Sequence, residues 1–141
     1  MKYKSQLPSQ IKAFIEWQLE HYKETKRQIE QYKIDLIPSA TPNYSAEPKG
    51  SGGENRPLED LTIKIVSDRY IMQATRMVEA INHVLDRCSK EDIQIIDLVY
   101  WRGQYTPEGA GLVVGYARST VYARINAILT AIAKELGYLS I

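Results

Sequence analysis

Residues 10 to 37 carry a hydrophobic pattern typical of a long amphipathic helix. The pattern predicts a helix from Gln10 to Ile37, with Ser9 as its N-cap. A spacing of three to four residues selects eight positions, of which six are apolar or aromatic: Ile11, Ile15, Gln18, Tyr22, Thr25, Ile29, Tyr32 and Leu36. Such a narrow seam suits either a coiled coil or a helix that packs against partner helices. Packing on its own domain and self-association through residues 11–36 therefore both stay open.

The next segment, PSATPNYSAEPKGSGGENRP at positions 38–57, has a different composition. It contains four prolines and three glycines, and Tyr44 is almost its only large apolar side chain. Too little apolar surface is available there to offset the entropy of ordering, so the composition predicts a flexible linker. A structureless segment of this length is unusual inside a compact domain. We therefore expect a separately placed N-terminal helical arm over residues 1–37 and a helical domain over residues 58–141.

Two more helices are predicted after the linker. The first spans Leu58 to Arg87, with a bend or break near Ser67–Asp68, where the hydrophobic pattern changes phase. Ser89 is the N-cap of the second, with Asp92 three residues on as a variant of the capping box. Gly103 ends this helix. The expected buried positions of the two helices are Ile71, Ala74, Val78, Ile81 and Leu85, then Ile93, Ile96, Val99 and Tyr100.

The C-terminal part has the spacing of a helix-turn-helix over residues 106–136. Thr106 caps a short helix with Pro107 at its first position, and Gly115 ends that helix. The small Gly111 suits the place where two helices cross closely, and Gly115 can take the positive φ that the turn requires. A last helix follows from about Arg118 to Leu136. The chain is thus predicted to be all-α, a small bundle of five or six helices.

The last helix is predicted to have two different faces. Its apolar positions fall on one side of the helical wheel and are expected to be buried: Val121, Ile125, Ile128, Ile132 and Leu136. The opposite side carries Ser119, Ala123, Asn126 and Thr130, with Arg118 and Tyr122 at the N-terminal rim. In a helix-turn-helix, this N-terminal exposed end enters the major groove of DNA.

The stretch TPEGAGLVVGYARSTVYAR resembles the helix-turn-helix of region 4 in bacterial sigma factors. The matching positions are Thr106, Gly111, Gly115, Thr120, Val121 and Arg124. The wider frame, with VEAINHVLDR, IIDLVYWRG and IAKELG, is similar to phage transcriptional regulators of the ArpU/RinA type. This resemblance implies a sequence-specific DNA-binding regulator encoded by a phage or prophage, an activator of late genes, acting in the cytoplasm of the bacterial host.

Two residues depart from the family pattern. The residue before the recognition helix is usually serine, and here it is Ala117, which removes a side-chain cap of about 1 kcal/mol. Gly109 stands where glutamate is common, and each glycine of EGAG weakens a short helix by roughly 1 kcal/mol relative to alanine. We therefore expect the helices of this helix-turn-helix to be only marginally stable until the protein binds DNA.

The residues expected to face the major groove are Arg118, Ser119, Tyr122, Ala123 and Asn126. Arginine suits guanine and asparagine suits adenine there. For Arg124, a phosphate contact and an internal salt bridge are equally open. Arg102 lies near phosphate in this interpretation, and Thr106 is also a candidate, although its role as a cap already explains it. The alternative for the whole set is a solvated helix face.

The charge balance indicates weak binding by a single copy. The chain has a net charge of +1, and residues 89–141 hold five basic and five acidic residues. Because phosphate contacts supply most of the non-specific affinity for DNA, dimerisation or recruitment beside RNA polymerase would be needed. A second hypothesis follows, in which the protein is a protein–protein module that binds RNA polymerase or a sigma factor, or self-associates through the N-terminal helix.

Other functions find little support in the sequence. The only cysteine is Cys88, and the only histidines are His21 and His83, so neither a disulfide nor a metal site is predicted. Glu79 and His83 share a helical face, but a structural role is expected for them. No nucleotide fingerprint, catalytic constellation or cofactor site emerges. With no apolar run long enough for a signal peptide or a membrane helix, we expect a cytoplasmic protein without a membrane partner.

Overall fold

The computed structural model describes residues 7–37 and 68–139. All regular secondary structure in these two stretches is helical, which confirms the predicted all-α class. The six helices are α1 (Ser9–Glu20), α2 (Tyr22–Leu36), α3 (Arg69–Leu85), α4 (Lys90–Ile96), α5 (Pro107–Val114) and α6 (Arg118–Glu135). A π-helical turn over Asp97–Trp101 continues α4. The predicted linker and residues 58–67 lie outside the described residues, so the proposed domain boundaries stay predictions.

Helix α6 is the centre of the bundle, since it contacts α1, α3, α4 and α5. Its predicted inward stripe is confirmed, with four positions buried and Leu136 partly buried. The most completely buried large side chains are Ile15, Leu19, Ile71, Ile81, Ile95, Ile96, Leu129, Ile132 and Val121. They come from α1, α3, α4 and α6, so these four helices share one apolar core.

The N-terminal segment forms two helices instead of the single helix that the sequence predicts. The break lies at His21, whose backbone has φ −98° and ψ 8°. Its ring nitrogen Nδ1 lies 2.7 Å from the carbonyl oxygen of Trp17, one turn earlier. A side chain that engages the hydrogen-bond ladder is a recognised cause of helix kinks. The start also differs: α1 begins at Ser9 with Pro8 in the cap position, and no side-chain cap is made.

The seam along α1 and α2 packs on the rest of the same chain, which is the first of the two alternatives that the sequence left open for it. All eight seam positions are buried or half-buried, and α1 contacts α6 while α2 contacts α3. The indole Nε1 of Trp101 donates to the carbonyl oxygen of Leu19 at 3.0 Å. The Tyr100 hydroxyl donates to Glu16 Oε2 at 2.8 Å. The seam is thus used inside the chain, and self-association through residues 11–36 stays a prediction.

On α3 and α4 the predicted break and the N-cap are confirmed, whereas the buried side of the second helix is confirmed only in part. Ile96 and Tyr100 are buried and Ile93 and Val99 are half-buried, while the buried Ile95 and Leu98 were not predicted. Helix α3 begins at Arg69, where Asp68 Oδ1 accepts from the backbone N–H of Ile71 at 3.0 Å, so the described helix starts at the predicted break. Ser89 Oγ accepts from the backbone N–H of Asp92 at 3.1 Å. Gly103 takes a positive φ of 67° after the π-helical turn. These caps hold α3 and α4 at defined ends, and α4 in turn supports α5 and α6.

Candidate nucleic-acid interface

Helix α5 is held at both ends by the residues that the sequence identified. Thr106 Oγ1 accepts from the backbone N–H of Gly109 at 3.0 Å, and Pro107 opens the helix. At the other end, Gly115 adopts φ 90°, a left-handed conformation that only glycine takes readily. A methyl group added at Gly111 would lie 3.1 Å from the backbone oxygen of Tyr116. A side chain here would force the turn to move by a few tenths of an ångström, so glycine suits the close approach of the turn to α5.

The turn Gly115–Tyr116–Ala117 leads directly into α6. Ala117 occupies the N-cap position with an extended backbone and makes no side-chain cap, as the sequence indicated. The first N–H groups of α6 therefore have no side-chain acceptor from the cap residue, and they stay available to a ligand or to water. This end of α6 is also where the predicted reading residues begin.

One edge of α6 is exposed along its first three turns. Ser119, Tyr122, Ala123 and Asn126 are all exposed, and the side chain of Arg118 is 75% accessible. The opposite face of the same turns is buried through Val121 and Ile125, among others. The structure thus brings the five predicted groove-facing residues together on one surface, which we call the reading edge. It comprises Arg118, Ser119, Tyr122, Ala123 and Asn126.

A carboxylate of α5 contacts the reading edge. Glu108 Oε2 accepts from Arg118 Nε at 3.1 Å and from the Tyr122 hydroxyl at 2.8 Å. The guanidinium carbon of Arg118 also lies 5.7 Å from the centre of the Tyr122 ring. The pKa of Glu108 is lowered, chiefly by the hydrogen bond from Tyr122 and further by Arg118, and the same bond raises the pKa of Tyr122. Glu108 is therefore ionised near neutral pH.

The sequence indicated only a helix-dipole role for Glu108. Its two partners lie 10 and 14 residues away on another helix, so no single-helix pattern joins them. A local signal does exist in the sequence: α5 has an acidic residue, Glu108, in its first turn, and α6 begins with a basic residue, Arg118. That signal becomes specific only when the turn geometry is known.

Arg124 makes an internal salt bridge, which is one of the two roles that the sequence left open for it. Its guanidinium forms a bidentate pair with Asp92, in which Nε donates to Oδ1 at 3.0 Å and Nη2 donates to Oδ2. Asp92 is the one charged residue of the described chain that is fully buried. The pKa of Asp92 is lowered, first of all by the hydrogen bonds from Arg124. The pair ties α6 to the start of α4, and so fixes the position of α6 on the bundle.

The two remaining candidates are also occupied inside the chain. Arg102 Nε donates to Asp97 Oδ2 at 3.1 Å on the exposed surface. The Thr106 hydroxyl is used as the cap of α5. Each of the three arginines proposed for DNA thus pairs with a carboxylate: Arg102 with Asp97, Arg118 with Glu108 and Arg124 with Asp92. This pairing reduces the positive potential offered to phosphates, in line with the neutral balance of residues 89–141.

Other candidate chemistry is sparse in the part of the chain that the structure describes. No group of three metal-ligating side chains occurs within residues 7–37 and 68–139. His83 Nδ1 contacts Glu135 Oε2 at 2.8 Å, where Arg87 also binds, in a surface cluster that joins α3 to α6. The thiol of Cys88 has a raised pKa because of burial. Among the described helices none is long and apolar enough to span a bilayer.

Comparisons with protein-family models, with curated proteins and with solved structures gave no match.

Proposed function

We propose that this protein binds double-stranded DNA sequence-specifically and regulates transcription, by inserting the N-terminal turns of α6 into a major groove. The observation that carries this proposal is the reading edge, which is exposed at the N-terminus of a helix whose other face is buried. A major groove about 12 Å wide admits one α-helix, with the base edges facing the residues of its first turns.

The chemistry of the reading edge suits base recognition. Arg118 can pair with guanine, Asn126 can pair with adenine, and Ser119 can donate to or accept from either. Ala123 leaves room for a thymine methyl group or for close approach of the helix. In addition, α6 itself carries no carboxylate before Glu135 at its last position, so Glu108 of α5 is the carboxylate that contacts its first turns.

The binding mode follows from the paired arginines. Because Arg102, Arg118 and Arg124 all pair with carboxylates, a single copy gains little from phosphate contacts. We infer that the protein acts beside a second DNA-bound molecule, either another copy or RNA polymerase, which raises its effective concentration at the site. This mode fits the resemblance to ArpU/RinA-type regulators and to sigma region 4, and with it the proposal of a phage late-gene activator in a bacterial cytoplasm.

The test is a mobility-shift assay of the full chain on fragments of its source genome at 50 and 200 mM salt. We expect fragments to be selected at low salt, with affinity that falls as salt rises. Replacing both Arg118 and Tyr122 by alanine should weaken specific binding by at least about tenfold, since each base contact contributes roughly 1–3 kcal/mol. The matched control replaces Tyr70 and Arg76, an exposed tyrosine and arginine of α3. Unchanged selection by the Arg118/Tyr122 variant would overturn the proposal.

A second candidate function, binding to a protein such as RNA polymerase or a sigma factor, has its own observation. Exposed aromatic side chains line a groove of about 460 Å³ between α1, α2, α3 and the residues after α6: Phe14, Trp17, Tyr70 and Tyr138. Helix α6 has 18 residues and spans about 27 Å at 1.5 Å per residue. The groove includes Leu136, so it lies at the opposite end of α6 from Arg118, about one helix length away.

The control pair on α3 also separates the two functions, because Tyr70 and Arg76 both line this groove. If the protein is a protein-binding module, the Tyr70/Arg76 variant loses capture of purified RNA polymerase and the Arg118/Tyr122 variant keeps it. Binding through this aromatic-lined groove should depend less on salt than DNA binding does, and it should persist at 200 mM salt.

A further inference from the structure

Glu108 joins the two largest side chains of the reading edge through a single oxygen. Its Oε2 accepts from Arg118 Nε at 3.1 Å and from the Tyr122 hydroxyl at 2.8 Å. Glu108 belongs to α5, whereas both partners belong to α6. The Glu108 carboxylate therefore restricts the orientation of both side chains from a neighbouring helix, in addition to the restriction from their own rotamer preferences.

The atoms that Glu108 leaves free determine what the reading edge can recognise. A guanidinium has five N–H donors in a planar fork. With Nε directed to Glu108, the two terminal nitrogens of Arg118 remain, and the side chain is 75% accessible. Two parallel terminal donors match the O6 and N7 acceptors of guanine in the major groove. The two terminal nitrogens of Arg118 are thus free to bind a guanine, whereas Nε is occupied by Glu108 and cannot bind a phosphate.

The same contact changes the role of Tyr122. A phenol can donate one hydrogen bond and accept others. Because its proton is directed to Glu108, only the acceptor lone pairs of the Tyr122 oxygen face outward. An acceptor in the major groove matches the amino group of cytosine or of adenine. Arg118 and Tyr122 then present complementary chemistry, with donors on one side chain and an acceptor on the other.

We propose that Glu108 is a specificity-determining residue of the DNA-binding site, which orients Arg118 to read guanine and Tyr122 to accept from a base amino group. This inference rests on the proposed function. An exposed ion pair contributes little to folding stability, so the role of Glu108 is geometric. Holding a long, flexible side chain in its bound orientation reduces the entropy lost on binding. Glu108 also repels phosphate when Arg118 turns away from it, which disfavours non-cognate DNA.

The experiment selects binding sites from a random duplex library with the full chain and then measures affinity for the best site and its single-base variants. Four variants are compared with the parent protein: Glu108→Gln, Arg118→Ala, Tyr122→Phe and Glu91→Gln. Glu91 is the matched control, because it is an exposed glutamate at the second position of α4 as Glu108 is at the second position of α5. Thermal melting followed by circular dichroism checks that each variant is folded.

We expect the parent protein to prefer guanine at one position by roughly 10- to 100-fold, as a bidentate arginine contact allows. Arg118→Ala should abolish this preference. Glu108→Gln should reduce the preference at that same position by about fivefold or more, while binding to unrelated DNA becomes equal or tighter. Tyr122→Phe should relax selection at a different, neighbouring position. Glu91→Gln should select the same sequence as the parent protein.

The outcomes separate this inference from the proposed function. If the parent protein selects no sequence, either alone or together with purified RNA polymerase, the proposed function fails and the inference fails with it. If it selects a sequence but Glu108→Gln keeps the full guanine preference, Glu108 does not determine specificity and only the inference is wrong. An equal rise in affinity for all sequences, with the preference unchanged, would mean that Glu108 merely repels phosphate, and this too would overturn the inference.

Discussion

Replacing Arg124 by alanine should destabilise the fold far more than replacing its partner, Asp92. The two side chains form a bidentate pair between α6 and α4. The pair is asymmetric in exposure, since the side chain of Asp92 is fully buried and that of Arg124 is 46% accessible. Loss of Arg124 leaves a carboxylate in the interior, whereas loss of Asp92 leaves a guanidinium that water can reach.

The magnitudes follow from this asymmetry. Removing one partner of a buried ion pair typically costs about 3–5 kcal/mol, because an uncompensated charge remains buried. We expect about 3 kcal/mol for Arg124→Ala, at the lower end of this range, because hydrogen bonds from Ser89 still stabilise the Asp92 carboxylate. For Asp92→Ala we expect about 1 kcal/mol, the net value of an ordinary hydrogen-bonded contact. The double variant should cost less than the sum of the two single variants.

The dependence of stability on pH should change sign. In the parent protein Arg124 lowers the pKa of Asp92 below its unfolded value, so this contribution is present above about pH 4 and is lost as the pH falls through the folded pKa. In Arg124→Ala, burial without a partner should raise the folded pKa of Asp92 above its unfolded value. Folding then takes up a proton, and lowering the pH from 7 to 5 should reduce the penalty of the substitution.

The measurement is urea unfolding followed by far-ultraviolet circular dichroism at pH 7 and at pH 5, for the parent protein, both single variants and the double variant. Arg76→Ala, which removes an exposed arginine of α3, is the control and should change stability by no more than about 0.5 kcal/mol. Equal costs for Arg124→Ala and Asp92→Ala, or a penalty for Arg124→Ala that does not shrink at pH 5, would refute the reasoning.

Three further predictions concern single positions. Ala117→Ser supplies the missing N-cap of α6 and should stabilise the protein by about 0.5–1 kcal/mol, seen as a higher melting temperature; an unchanged value would contradict it. Gly111→Ala should destabilise by about 1–3 kcal/mol, because its methyl group would lie 3.1 Å from a backbone oxygen. Gly115→Asn should destabilise the protein less than Gly111→Asn, because only the positive φ constrains position 115. Equal losses of stability for these two asparagine variants would contradict this prediction. Ile15→Ala should cost about 2–5 kcal/mol within a single unfolding transition, whereas Ile34→Ala, at an exposed position, should be nearly neutral. Separate transitions for the N-terminal helices and the bundle would contradict the packing of α1.

Local features of the fold were predictable from the sequence where they depend only on residues within one helix or one turn. The caps at Ser89 and Thr106 and the positive φ at Gly115 depend on backbone sterics within a few residues. The inward stripe of α6 depends only on the 3.6-residue period. Likewise, the seam from Ile11 to Leu36 was identified correctly as a packing face.

What that seam packs against was not predictable in the same way. A proline- and glycine-rich segment predicts a flexible connection between two elements. It does not predict whether those two elements pack against each other. On either side of the break at His21, α1 packs on α6 and α2 packs on α3, and neither pairing can be read from the sequence. The indole contact from Trp101 to Leu19 joins residues 82 positions apart, and hydrophobic periodicity cannot express such a pairing.

The sequence by itself determined that the chain is helical, where the C-terminal helices begin and end, and which residues of α6 point outward. Only the tertiary structure decided the partners of those residues, with Arg124 turned to Asp92 and Arg118 and Tyr122 joined to Glu108. The physical reason is one of range. Helix formation and capping are set by neighbours within one turn, whereas a salt bridge between helices requires their relative orientation, which the whole core fixes through packing.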